Sequence, residues 1–194
     1  LRIGKGHGST TDSLDPGTAE NGFMTQTGYC YGNHLTEVNT NGDLVPELCE
    51  GYSSEDAVTW RFDMRQGVEF HNGKTLTAED VIASLQHHMG DDSKSAAKGL
   101  LSTINSMSAD GNTVVIELTG PDAGFPFIMS DYHLIIMPSV DGKVDATAGV
   151  GTGGYIMENF EPGVRAQFTK NPNYFKEGAA HVDEVELLSL LDTT

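Results

Sequence analysis

His87-His88 followed by Asp91-Asp92 puts two imidazoles and two carboxylates within six residues, a set able to coordinate a metal ion. Neighbouring residues on a helix point about 100° apart, so the two rings cannot face one ion. A solvated helix end with cations near its carboxyl terminus is the simpler reading, and no metal site is expected. Gly151-Thr152-Gly153-Gly154 is a loop whose backbone N–H groups could cradle an anion. It lacks the Lys-Ser/Thr step of a phosphate-binding loop and opens no helix, which argues against a nucleotide. Ser9-Thr10-Thr11 follows the first strand, where ligands of mixed α/β sheets bind, and its hydroxyls can both donate and accept hydrogen bonds. Asn21, Phe23, Tyr29 and Tyr31 offer amide and aromatic surface beside it; the alternative is a polar loop followed by a packed helix. The chain has no Gly-x-Ser-x-Gly, no His-Glu-x-x-His and no Cys-His pair in a hydrolase setting, and Asp183-Glu184 reads as solvated charge. Neither an enzyme nor a cofactor is expected.

With 11 basic and 28 acidic residues the chain carries a net charge of −17, which repels phosphate backbones and anionic membranes. Nucleic acid is therefore not an expected partner. Apolar residues make up 38% and aromatics 8%, enough for a globular core, and 194 residues suffice for one domain or part of a larger one. No apolar run is long enough to span a bilayer. Cys30 and Cys49 would close a loop of roughly twenty residues if bridged, worth ~3 kcal/mol. Two separate buried thiols are the simpler expectation.

The elements that must position these groups mix helix and strand. Leu1 to Lys5 reads as an opening strand, which leaves no signal peptide there; export would mean that a leader has been removed. Phe23 to about Leu35 is a candidate helix weakened by Gly28 and Gly32. Asn41-Gly42 turns a hairpin before Val45. Val58, Trp60, Phe62 and Met64 alternate with Thr59, Arg61, Asp63 and Arg65, the period of a half-buried strand. Val68 and Phe70 continue that alternation to a turn at Asn72-Gly73. Thr77 then caps a helix with Glu79 and Asp80 in its first turn, ended by Gly90. Ala96–Leu101 and Phe125–Met129 read as short helices, and Thr103–Ser108 with Thr113–Leu118 as a hairpin. Leu134–Met137 is a continuous apolar run expected to be a buried strand. Gly142–Gly154 is a loop, and Tyr155–Phe160 with Arg165–Thr169 a hairpin around Pro162-Gly163. Val185–Leu191 is the last strand. The fold class is α/β in a mixed α+β arrangement.

The wording of these segments is more specific than their pattern. Met64 to Gly73 with Leu76 to Val81, ending on Ser84, resembles the LRxGVxFHDGxPxTAEDVxxS signature of the family 5 extracellular solute-binding proteins of bacterial ABC importers. Asn41–Leu48 resembles that family's "dG-lvP-L" segment, and Gly151–Tyr155 its GTGPY loop, with Gly154 in place of proline. Lys170–Tyr174 with Val182–Val185 resembles its "rNpdYw…ldeve" segment, and the four stretches occur in the family's order.

The resemblance implies a lobe of periplasmic-binding-protein type. It divides into core parts at residues 1–35 and 155–194 with a subdomain inserted at 36–154, and the second lobe is missing. It implies a monomeric periplasmic receptor that binds a small solute, most commonly a peptide, and delivers it to an ABC permease in the inner membrane. Nickel chelates, sugars and opine-like compounds are alternative cargo, and a ligand-sensing domain of a regulator is an alternative role. It also implies that the loop after the first strand lies at the ligand cleft, and that Thr152 and Tyr155 lie beside it. The chain is expected to be an N-terminal piece of such a receptor, with a last strand short of neighbours.

Overall fold

The computed structural model describes residues 1–190. Strand β1 (Arg2–Lys5) is followed by a short 3-10 turn at Pro16–Thr18 and helix α1 (Gly22–Tyr31). Strands β2 (Thr36–Val38), β3 (Leu44–Pro46), β4 (Cys49–Ser53) and β5 (Thr59–Met64) lead to helix α2 (Ala78–Met89). After a 3-10 turn at Ala96–Gly99 come β6 (Ile104–Asp110), β7 (Thr113–Leu118), the one-turn helix α3 (Phe125–Ile128), β8 (Ser139–Val140) and β9 (Lys143–Val144). The chain closes with β10 (Tyr155–Glu161), β11 (Arg165–Lys170) and β12 (Glu184–Ser189). Leu191, placed by the sequence in the last strand, lies outside the described residues.

Two four-stranded sheets result. One has the order β1-β12-β11-β10, with β1 parallel to β12 and the other pairs antiparallel; the second has the order β4-β5-β7-β6. Each sheet has its own core. Phe23, Tyr31, Phe168, Val185 and Leu187 pack between α1 and the first sheet. Phe62, Met64, Val81, Leu85, Val114 and Ile116 pack between α2 and the second. The alternation read at residues 58–64 is seen directly, with Trp60, Phe62 and Met64 buried and Thr59, Arg61 and Asp63 exposed. Asp80 settles the start of α2: its Oδ2 accepts the Thr77 N–H and Oγ–H, both at 2.9 Å, while its Oδ1 accepts the Ser139 N–H at 2.7 Å. Lys74 completes the pairing of this fully buried carboxylate.

Three expectations change. Leu134–Met137 is buried but is not a strand. It threads between the two cores as extended chain, sending Ile135 and Met137 to one and Leu134 and Ile136 to the other. Its apolar neighbours lie on both sides, as in a buried strand, but no ladder forms. Helix α1 starts one residue earlier than expected and stops at Tyr31, because Asn21 caps it and Gly32 turns extended. The stretch Gly142–Gly154, expected to be a loop, contributes β9 to the β8–β9 hairpin, which is turned by Asp141 and Gly142 at φ 51° and 73°, both positive as a two-residue type I′ turn requires. Cys30 and Cys49 are both free and buried.

The backbone of Gly151 and Gly153 lies directly on the last turn of α1. A Cβ at Gly151 would sit 2.2 Å from the Tyr31 carbonyl oxygen, and one at Gly153 would sit 2.5 Å from the Tyr31 carbonyl carbon. Those obstacles are backbone atoms with no rotamer to yield. Gly153→Ala should therefore cost about 2 kcal/mol or more of unfolding free energy, whereas Gly51→Ala, with nothing within 4 Å of its Cβ, should cost little. Urea midpoints of the two variants check this, and equal midpoints would refute the tight contact.

Candidate functional site

Because β1 and β12 run parallel, their carboxyl ends, Lys5 and Ser189, meet at one edge, and the Leu190 N–H donates to the Lys5 carbonyl at 2.7 Å. The loop from Gly6 to Leu14 is held at that edge. Gly8 packs on Ser189, where a Cβ would come within 2.1 Å of Oγ. The Pro162-Gly163 turn presses on the Ser9–Thr10 backbone, with Gly163 at φ 68°. Asp12 organises the interior of the loop: Oδ2 accepts the Ser9 N–H at 2.8 Å and Oδ1 accepts from Asn21 Nδ2 at 2.7 Å. Asn21 in turn accepts the Met24 N–H at 2.9 Å as the cap of α1. Ser9 Oγ and Thr11 Oγ1 are 2.8 Å apart. The result is a hydroxyl- and amide-bearing ledge, tied to the start of α1, with Thr10 and Thr11 exposed.

Of the residues expected to face a ligand, Ser9, Thr10, Thr11 and Asn21 come together on this ledge. Phe23 and Tyr31 do not join them. Both are core side chains: Phe23 is 0% exposed and stacks on Phe160, and the Tyr31 hydroxyl donates to the Leu14 carbonyl. Tyr29 lies toward the other end of α1, about 12 Å along the helix axis from Asn21. Tyr155 is half-buried, and its hydroxyl accepts the Val182 N–H. Thr152 is buried and donates to Asn33 Oδ1 at 3.0 Å. Asp12, which brings the ledge together, gave no signal in the sequence because a single carboxylate in a polar loop belongs to no pattern.

Thr152 is one member of a buried polar junction beyond the end of α1. Asn33 Nδ2 donates to Glu47 Oε1 at 2.7 Å and to the Tyr174 hydroxyl at 3.2 Å. Lys176 Nζ reaches Glu47 Oε1 at 2.6 Å and Glu37 Oε2 at 2.8 Å. Burial alone would raise the Glu47 carboxyl pKa; His34 and Lys176 outweigh it and hold the group below the usual carboxylate range. The anion cradle suggested by Gly151–Gly154 does not form. The Gly153 N–H is spent on the Tyr31 carbonyl at 2.9 Å, and the Gly153 carbonyl accepts from His71 Nε2 and Asn171 Nδ2. His71 has a structural role, since its backbone N–H also donates to the Gly151 carbonyl at 2.9 Å.

The histidine pair departs from the solvated helix end that was expected. The rings do diverge, but His88 is 0% exposed, with Nδ1 2.7 Å from Ser95 Oγ, while His87 Nε2 pairs with Asp15 at 3.0 Å. Among the described residues no group of three or more His, Cys, Asp or Glu is placed to hold a metal, and no helix is long and apolar enough to cross a membrane.

Burial and the neighbouring His87 depress the His88 pKa to about 4. Above its ordinary value of about 6.5 both folded and unfolded chains hold it neutral. As pH falls toward 4 the unfolded chain gains the proton first, so stability drains away on the acid side, by about 3 kcal/mol at pH ~4. The bond to Asp15 raises the His87 pKa and opposes that loss. His88→Met isolates the first effect: it should gain on the parent chain by about 3 kcal/mol between pH ~7 and ~4. Unfolding free energies across that range check it, and a constant difference would refute it.

Comparison with known proteins places this geometry. The family described as bacterial extracellular solute-binding proteins, family 5, matches residues 43–194. The chain is 31% identical over 172 residues to the probable di/tripeptide-binding protein 5 of Pseudomonas aeruginosa, a match covering 74% of this chain and 33% of that protein. It is 30% identical over 184 residues to the HTH-type transcriptional regulator SgrR of Salmonella typhi, covering 93% of this chain and 32% of that one. Among solved structures, the PBP AgaA of A. tumefaciens R10 in complex with agropinic acid superimposes with a TM-score of 0.87 at 26% identity, covering 98% of this chain and 39% of that chain. This chain spans about a third of the length of the curated relatives it matches.

Proposed function

We propose that this chain, which belongs to the bacterial extracellular solute-binding proteins of family 5, is part of a periplasmic receptor that captures a small solute and hands it to an ABC permease. The observation that carries the reading is the superposition of nearly the whole chain on a ligand-bound binding protein. Peptides lead the candidate cargo, in keeping with the di/tripeptide-binding relative. The ledge suits such a ligand chemically: Ser9, Thr10 and Thr11 offer donors and acceptors for main-chain amides and carboxylates, while Asn21, engaged with Asp12 and Met24, holds them against the start of α1. In this reading Asp12 positions the ledge rather than touching the solute, since each of its oxygens is already engaged within the loop. Capture is equilibrium binding with closure of a second lobe over the ligand, and it needs no covalent step.

A second reading is favoured by the regulator among the relatives: the same lobe acting as a sensor whose closure alters an attached DNA-binding domain. The two readings differ in what the full-length gene product does once solute binds.

Thermal melting of the full-length protein against di- and tripeptides, nickel chelates, opines and sugars tests both. A true cargo at a hundredfold excess over Kd should stabilise the native state by about 2.7 kcal/mol, and Asn21→Ala should weaken it. Stabilisation by peptides without any change in DNA affinity supports the receptor. A ligand-dependent change in DNA affinity supports the sensor. No stabilisation by any class of solute refutes both.

A further inference from the structure

Strand β1 carries a cation to the edge that bears the ledge. Ile3 packs toward the core under α1, and strand alternation puts the side chain of Lys5 on that same face. From Lys5 the chain runs straight into the ledge. Gly8 is pinned between Ser189 and the ring of Phe23, and the Asn21–Asp12 bond ties the loop to the start of α1. The Lys5 backbone is fixed there as well: it pairs with Ser189 and accepts the Leu190 N–H at 2.7 Å.

Among the described residues Lys5 is the one half-buried basic side chain with neither an ion pair nor a hydrogen bond. Lys74 is spent on Asp80, Lys176 on Glu37 and Glu47, and Arg165 on Glu161, while Arg65 and Lys98 donate to the Glu47 and Asp91 carbonyls. Lys94, Lys143 and Lys170 also lack partners, but they are exposed and water solvates them. Lys5 stands half out of water without a counter-ion, in a chain of 28 acidic residues. The carboxylates of the adjoining loop and turn are engaged elsewhere: Asp12 with the Ser9 N–H and Asn21, Asp15 with His87, and Glu161 with Arg165. A cation that has lost part of its hydration is stabilised by an incoming anion. Because Lys5 is only half-buried, a solute resting on the ledge can reach it.

We propose that Lys5 anchors a carboxylate of the solute, so that the receptor takes small organic acids, peptides with a free carboxyl terminus among them, in preference to neutral sugars. The ammonium group of Lys5 pairs with the carboxylate, and the hydroxyls of the ledge donate to its remaining lone pairs. This inference rests on the receptor reading of the ledge.

The test melts the full-length protein at neutral pH with matched acids and neutral analogues: dialanine and its amide, trialanine and its amide, glucuronate and glucose. Nickel chelates and opines are run beside them. The acid of a pair should bind more tightly than its analogue by about tenfold. Lys5→Met should weaken whichever acid binds by about tenfold and leave the neutral analogue unchanged. Lys5→Arg should retain most of the affinity. Lys170→Met, which alters the net charge equally, should have no effect. Melting of the unliganded variants shows that they fold, and the paired solutes test the charge preference without any substitution. The inference alone is overturned, with the receptor reading left standing, by any of three results: acid and neutral analogue bind alike, Lys5→Met leaves acid binding unchanged, or only neutral sugars or nickel chelates stabilise the protein. Stabilisation by no solute at all overturns both.

Discussion

Everything else in the molecule is arranged around the approach of one glycine backbone to the end of one helix. Gly151 and Gly153 touch the Tyr31–Gly32 backbone at distances that no side chain would permit. From that contact the Gly153 carbonyl reaches His71 and Asn171, the Gly151 carbonyl accepts the His71 N–H, and Thr152 reaches Asn33. Segments far apart in the chain are thereby held at one point, between the core under α1 and the core under α2. Each of these bonds is buried or nearly so. Removing one partner would strand a desolvated donor or acceptor, which costs more than the bond itself contributes.

Charge is used at the same joints, and stability alone does not account for it. Glu47 is buried with His34, Asn33 and Lys176 around it, and Asp80 is buried with Lys74, Thr77 and Ser139. A buried ion pair returns little over an apolar pair of the same shape, because desolvation offsets the attraction. Such a carboxylate does dictate geometry: Asp80 accepts from the start of α2 and from the chain entering β8, so the two are fixed to each other. Glu47 does the same for the end of α1 and the segment around Lys176.

The parts legible in the sequence were those governed by local rules. The Trp60–Met64 alternation, the cap at Thr77 and the Gly90 stop follow from periodicity and backbone chemistry within a few residues, and the structure keeps them. Leu134–Met137 misled because an apolar run reports burial on both faces without saying whether strands or helices provide it. His88 misled for the converse reason. A polar residue near a helix end reads as solvated until a distant segment, here Ser95 with its own turn, closes over it. Phe23 and Tyr31 left both a ligand surface and a packed helix open, because aromatic side chains suit a cleft and a core alike; the positions of Phe160 and Leu14 put them in the core.

The same reasoning explains why the family was readable while the cargo was not. The stretches that carry the resemblance supply Glu47, His71, Gly151, Gly153, Asn171 and Tyr174, and these residues meet at or around the junction. Packing there tolerates few alternatives, so the constraint leaves a recognisable string of residues. The ledge at Ser9–Thr11 is held through backbone contacts from Gly8, Gly163 and Asp12, which leave the hydroxyls of Thr10 and Thr11 free of the core. A loop clamped by its backbone can exchange side chains without disturbing the junction. The ledge is thus the part of this edge on which the fold imposes least, and the family's signature gathers where packing imposes most.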